Sequence, residues 1–174
     1  ITGPMRGRFT ITKGLPPSLR ADAAALYWQA FGGKLGRVMG PDAKAQAFLQ
    51  RVIRGDHAFV ALDDDGALLG LVGFKSPQGS FAGGTWADMR AIYGVSGVLW
   101  RSPLLALLSH EIDNTHFLLD GICVASPARS LGIGAALIAA LEDEAAQRGY
   151  ASVRLDVIGT NWRARALYER LGYR

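Results

Sequence analysis

Apolar positions change their spacing several times along the chain, and each change marks an element. After a short strand over 8–12, Ala24, Leu26, Tyr27, Ala30 and Phe31 fall roughly at helical spacing, which predicts a helix over 18–31 ended by Gly32-Gly33. Pro41-Asp42 opens a second predicted helix, with Ala45, Phe48, Leu49, Val52 and Ile53 on one face and a stop near Gly55. Residues 57–62 and 68–74 are apolar runs joined by Asp63-Asp64-Asp65-Gly66, a hairpin signature. As a calcium loop that acidic run fails, because the alternating ligand spacing and the later Glu are missing. Polar residues 76–90 lead into 91–108, the most apolar stretch, where Arg101 and Pro103 are each costly for a membrane span; a long helix broken at Pro103 and packed on a sheet is expected.

From residue 116 the pattern sharpens. It predicts a strand over 116–124 and a helix over 132–148 with Ile133, Ala136, Leu137, Ala140, Leu141 and Ala145 inward and Gly149 as its stop. An alternating strand over 152–157 and a last helix over 162–171 follow. Strand, helix, strand, helix predicts an α/β sandwich with a parallel pair at this point, crossed by a helix.

Composition narrows the class. With 174 residues, 49% hydrophobic and 20% charged, the chain suits one well-buried domain. The net charge of +4 is spread along the sequence without interleaved aromatic and basic positions, so no nucleic-acid partner is expected. A single cysteine excludes an intrachain disulfide framework or a Cys-based zinc site, fits a cytoplasmic protein, and reads as a small buried hydrophobe at Cys123. The three histidines lack metal-ligand spacing, so no metal is expected, and without a G-x-S-x-G elbow no covalent acyl-enzyme is expected either. Residues 1–4, ahead of Met5, read as a remnant outside the domain.

The chemistry lies where strand 116–124 meets the next helix. Gly132 and Gly134 leave main-chain N–H groups uncovered at a helix start, where the amides lack intrahelical partners and the dipole favours an anion; Arg129 adds a positive charge. Side chains at either glycine are expected to push a phosphate away. A dinucleotide fingerprint fails at Leu137, and no P-loop pattern occurs. Arg129-Ser130-Leu131-Gly132-Ile133-Gly134 instead matches the pattern Gln/Arg-x-x-Gly-x-Gly/Ala of the GCN5-related N-acetyltransferases, the GNAT family. Asn161, followed by Ala164, Leu167, Tyr168 and Gly172-Tyr173, resembles that family's second landmark.

The resemblance implies a GNAT-type fold, a central mixed β-sheet with helices on both faces and two splayed parallel strands that hold acetyl-CoA. It implies main-chain pairing of the pantetheine arm with Ile122, Cys123 and Val124. It places the pyrophosphate on the turn formed by Arg129, Ser130, Leu131, Gly132, Ile133, Gly134 and Ala135, with Asn161 as a further contact or simply a helix cap. Tyr168 is implied as general acid, although its spacing equally suits a packed structural tyrosine. Asp120 is a candidate base, with Glu111, Asp113 and His116 as alternatives. The implied activity is transfer of acetyl from acetyl-CoA to a primary amine of a small molecule or peptide, with no membrane partner. A non-catalytic acyl-CoA-binding module and an adaptor using 91–108 are the alternatives. The resembled fold carries one or two strands after the Gly-Tyr landmark, so a single domain over 5–174 is expected to lack its last strands, and its open sheet edge to favour a homodimer.

Overall fold

The computed structural model describes residues 8–108, 117–155 and 162–174. Its centre is a mixed sheet in which β1 (Thr10–Lys13), β2 (Ala58–Leu62) and β3 (Leu68–Ser76) run antiparallel. β4 (Gly79–Ser80) folds back on the end of β3, and β5 (Phe117–Val124) pairs with the other side of β3. β6 (Val153–Arg154) lies parallel to β5, so the order is β1-β2-β3-β5-β6. The β2–β3 hairpin forms because Asp63 closes it: its Oδ1 accepts the N–H groups of Asp65 at 3.0 Å and Ala67 at 2.8 Å, and Gly66 takes the left-handed φ of 81°. That acidic cluster thus works as turn chemistry.

Alternation along the strands divides the core into two layers. Ala58, Val60 and Leu71 face α1 (Arg20–Met39) and α2 (Asp42–Val52), whereas Phe59, Ala61, Val72, Phe74 and Phe117 face α4 (Ile133–Gln147). Helices therefore cover both faces. α4 buries Ile138 and Glu144 as well as the expected Ile133, Leu137, Leu141 and Ala145. It stops as expected at Gly149, whose φ of 84° lets Tyr150 N–H reach Ala145 O at 2.9 Å and Gly149 N–H reach Ala146 O at 3.0 Å.

Two expectations about helices need correction. Gly32-Gly33 does not end α1, which continues to Met39. Each glycine costs a helix about 1 kcal/mol, but the extra turns bury Val38 and Met39, and Gly32 takes the Trp28 ring closely: a Cβ there would stand 3.0 Å from Trp28 Cε2. The second concerns α3 (Trp86–Leu108), which breaks at Gly94 (φ 71°, ψ 175°) and passes through Pro103 as helix. It packs on α1 and α2 rather than on the sheet. Tyr93 Oη donates to Met39 O, Arg101 Nε to Val38 O at 2.7 Å and Arg101 Nη2 to Gly40 O at 3.1 Å, so α3 satisfies the carbonyls at the end of α1. Its other side exposes Trp86, Val95, Leu99 and Trp100. No helix among the described residues is long and apolar enough to cross a membrane.

One charged group lies inside the α4 layer. The Glu144 side chain, 6% exposed, receives Lys13 Nζ at 2.6 Å and Arg148 Nη2 at 2.7 Å, and the Arg148 guanidinium stacks 5.2 Å from the centre of the Phe74 ring. Burial pushes the Glu144 carboxyl up, but the bonds from Lys13 and Arg148 outweigh it and hold the carboxyl below its ordinary value. Its stabilising contribution is therefore full above the unfolded value of about 4.3 and is lost as pH falls through the lower folded value. Glu144→Ala is expected to cost about 2–3 kcal/mol, since it leaves two cations without their carboxylate. Urea unfolding at pH 7 and pH 3 checks this, with a smaller difference between variant and wild type at the lower pH.

Candidate cofactor cleft and active site

β5 builds the cleft, and a bulge in it sets which side chains face which layer. Gly73 of β3 stands opposite Gly121 and Phe74 opposite Leu119, so Asp120 is the extra residue. Phe117 and Leu119 pack on the α4 side before the bulge, and Ile122 and Val124 do so after it. Without the extra residue, alternation would put Ile122 on the opposite face. Asp120 itself turns toward α1. Its side chain is 8% exposed, with Oδ1 3.4 Å from Lys75 Nζ and Oδ2 accepting the Ala82 N–H at 3.1 Å.

The paired glycines beside the bulge receive aromatic rings. A Cβ on Gly73 would fall 2.6 Å from the Phe81 ring, and one on Gly121 would fall 3.0 Å from Phe31 and 3.1 Å from Tyr27. Tyr27, Phe31 and Phe81 thus form one wall over Gly73 and Gly121, with the Phe31 and Phe81 centroids 4.5 Å and 5.7 Å from that of the Tyr27 ring. Burial, and next the Asp120 charge, push the Tyr27 phenol far above its ordinary value. Burial also pushes the Cys123 thiol up to about 12, so at neutral pH it is a packed hydrophobe rather than a nucleophile. Periodicity did not mark this wall. Glycine in the middle of two strands is the signal that points to close approach by another group.

On its other edge β5 has only a short partner among the described residues. β6 pairs only with Phe117 and Leu118, and over 119–124 no described strand borders β5 on that side. Of the strand expected over 152–157, residues 153–154 pair and 156–157 lie outside the described residues. In the register of that parallel pair, residues 158–160, which lie outside the described residues, stand opposite Ile122, Cys123 and Val124. Their main chain leads through a single 3-10 turn, Ser126–Ala128, into the glycine turn.

That turn is shaped by two left-handed residues. Ser130 has φ 65°, the one positive φ outside glycine among the described residues, and Gly132 has φ 84°. The first hydrogen bond of α4 is from Ala136 N–H to Gly132 O at 3.0 Å. Among the described residues no acceptor serves the N–H groups of Ser130, Leu131, Gly132, Ile133, Gly134 or Ala135. Six consecutive uncommitted amides at the positive end of a 15-residue helix make a cradle for an anion.

The two glycines of the turn do different things. A Cβ on Gly132 would meet nothing within 4 Å, so it would stand in open space beside the turn. A Cβ on Gly134 would stand 3.1 Å from Leu167 Cδ2, so this glycine admits α5 (Trp162–Arg170) against α4. Gly134→Val is accordingly expected to displace α5 and to lower the melting temperature and coenzyme A affinity together, which thermal unfolding and titration of one preparation check.

Arg129 folds back: its Nε donates to Val124 O at 3.2 Å, covering the last carbonyl of β5. Tyr168 is buried on α5, 6% exposed, with its ring edge-on to Tyr173 at 6.1 Å. Burial raises its phenol above the ordinary value, so it stays protonated across the neutral range. Asn161, Glu111, Asp113 and His116 lie outside the described residues. The fold therefore brings the edge of 122–124, the amide turn and, through Leu167, the Tyr168 helix together. The Asp120 carboxylate faces Lys75 and the α1 layer.

A sequence profile described as the acetyltransferase (GNAT) family matches residues 21–173. The chain belongs to that family. Members of the family are acetyl-CoA-dependent N-acetyltransferases. A comparison with curated protein sequences gave no match. Among solved structures, GNAT similarity extends over nearly the whole chain. An aminoglycoside N-acetyltransferase, AAC(6')-Iy in complex with CoA, has a TM-score of 0.60 at 18% identity, covering 99% of this chain and 92% of that one. A histone acetyltransferase HPA2 and related acetyltransferase from Corynebacterium glutamicum gives 0.62 at 21% identity, over 94% and 83%. A ribosomal-protein-alanine N-acetyltransferase from Brucella melitensis biovar Abortus gives 0.58 at 20%, over 96% and 92%. These likenesses establish a GNAT fold.

Proposed function

We propose that this chain transfers acetyl from acetyl-CoA directly to a primary amine of a small molecule or peptide. The observation that carries the reading is the run of six amides over 130–135, served by no acceptor among the described residues and lying directly after β5. The residues present fit coenzyme A. Main-chain groups of Ile122, Cys123 and Val124 pair with the amide-bearing pantetheine arm, and the turn from Arg129 to Ala135 takes the pyrophosphate. Arg129 leaves the Val124 carbonyl as the arm arrives. A small-molecule acceptor is supported by the aminoglycoside acetyltransferase neighbour, and a peptide amine by the ribosomal-protein-alanine one.

In this reading the amine nitrogen attacks the thioester carbonyl carbon, and the C–S bond breaks as the amide forms. A main-chain N–H near Val124 stabilises the transient oxyanion, a type of contact worth about 3 kcal/mol. Tyr168 donates its phenolic proton to the departing sulfur. The ammonium proton leaves through water toward Asp120, which uses two of its four or so acceptor positions on Ala82 and Lys75. Asp120→Asn separates this role from that of holding the bulge. A base predicts that the acid limb of the rate profile changes, whereas a bulge anchor alone predicts lower thermal stability with the limb unchanged.

Acetyl-CoA at about 100 times its dissociation constant is expected to stabilise the fold by about 2.7 kcal/mol. No thermal shift with acetyl-CoA would leave the adaptor reading, for which the exposed face of α3 is the candidate surface. A shift without thiol release across a panel of amines would leave a non-catalytic binding module.

A further inference from the structure

The amide turn accounts for two of the three phosphates of coenzyme A. The third, a phosphate monoester on the ribose, carries up to two charges and needs a cation of its own. α5 supplies a candidate. Leu167 touches the first turn of α4 at the position of Gly134, and Arg163 lies four residues earlier on the same stripe, about 6 Å along the axis. The Arg163 backbone is thus beside the entrance of α4. Its guanidinium sits 5.1 Å from the centre of the Trp162 ring, which is 68% exposed and contributes nothing to the core.

The neighbouring cations are engaged in other ways. Arg165 is tied to Glu169 at 2.8 Å, and Arg129 donates to Val124 O. Arg163 has an aromatic support and no carboxylate among the described residues. A guanidinium held over an indole has lost part of its rotamer freedom, and its planar fork matches two oxygens of a phosphate monoester.

We infer that Arg163, seated on Trp162, binds the 3′-phosphate of coenzyme A, so that this chain distinguishes coenzyme A from its 3′-dephospho form; the inference rests on the cofactor reading above. It makes Arg163 a binding residue with no part in the acyl transfer itself.

Calorimetric titration of the whole chain with coenzyme A and with 3′-dephospho-coenzyme A tests it at one fixed salt concentration. Wild type is expected to bind coenzyme A roughly ten-fold tighter, the size of one exposed charge-assisted contact. Arg163→Ala should remove that advantage and leave the dephospho form unchanged, Arg163→Lys should keep part of it, and Trp162→Ala should reduce it without affecting the dephospho form. Melting temperatures equal to wild type show that α5 is intact. Equal losses for both ligands in Arg163→Ala, or no loss, overturn the inference while the cofactor reading stands. Equal binding of both by wild type does the same. Binding of neither overturns both.

Discussion

Tyr168→Phe is expected to lower kcat by about two to three orders of magnitude, the usual range for losing a positioned general acid. The affinity for acetyl-CoA and the melting temperature should stay near wild type. The ring is buried and edge-on to Tyr173, and Phe keeps that packing while deleting only the hydroxyl. Spacing alone cannot tell an acid from a packed tyrosine, but this substitution can: a structural tyrosine loses no turnover on becoming Phe. Burial raises the Tyr168 phenol above its ordinary value near 10, so the acid remains protonated and its own ionisation does not lower the rate below that pH. Tyr27 and Tyr173 are raised as well, both first by burial, with nearby carboxylates adding to it. Stability tied to these protonated phenols is full below about pH 10 and falls as pH rises through the folded values, so unfolding in alkali is expected to begin there.

Gly132→Val should weaken acetyl-CoA binding by about 100-fold, equivalent to losing roughly two charge-assisted amide contacts. Two causes act together. At φ 84° an L-residue costs about 1–2 kcal/mol, and valine is among the worst suited. Its branched side chain also adds bulk in the open space at the turn that carries the six free amides, where a Cβ meets nothing. The backbone cost corresponds to a fall in melting temperature of roughly 2–8 °C for a chain of this size. The fold should otherwise persist, because Gly132 caps α4 without touching the core. Titration with acetyl-CoA decides the matter: wild-type affinity in a folded Gly132→Val chain would falsify the placement of the pyrophosphate on this turn. Gly134→Val makes the comparison informative, since its effect arrives through Leu167 and brings a loss of stability.

The second half of the chain was readable because its signals are local. A left-handed glycine at each end of α4, an apolar stripe between them and β-rich runs on both sides depend on neighbours within a few residues. The same locality marked the Asp63–Gly66 turn, where one carboxylate bonds the backbone two and four residues ahead. Where contacts come from far along the chain, the reading missed. Gly32-Gly33 looks like a helix end, yet α1 continues because Arg101 and Tyr93, more than fifty residues later, satisfy its last carbonyls. The helix break expected at Pro103 falls instead at Gly94, whose φ of 71° admits the turn between the two segments of α3.

By itself, then, the sequence determined the order of the elements, the family, and the glycine turn with uncovered amides ahead of α4, since a glycine's freedom and an unpaired N–H belong to the local chain. Only the tertiary structure decided how the site is arranged. It separated the roles of Gly132 and Gly134, and buried Asp120 in a bulge facing Lys75. It also gathered Tyr27, Phe31 and Phe81 around Gly73 and Gly121, and set Arg163 beside the entrance of α4. Each of these is a meeting of distant segments, fixed by which side chains fill the space between sheet and helices, and no short-range pattern encodes that.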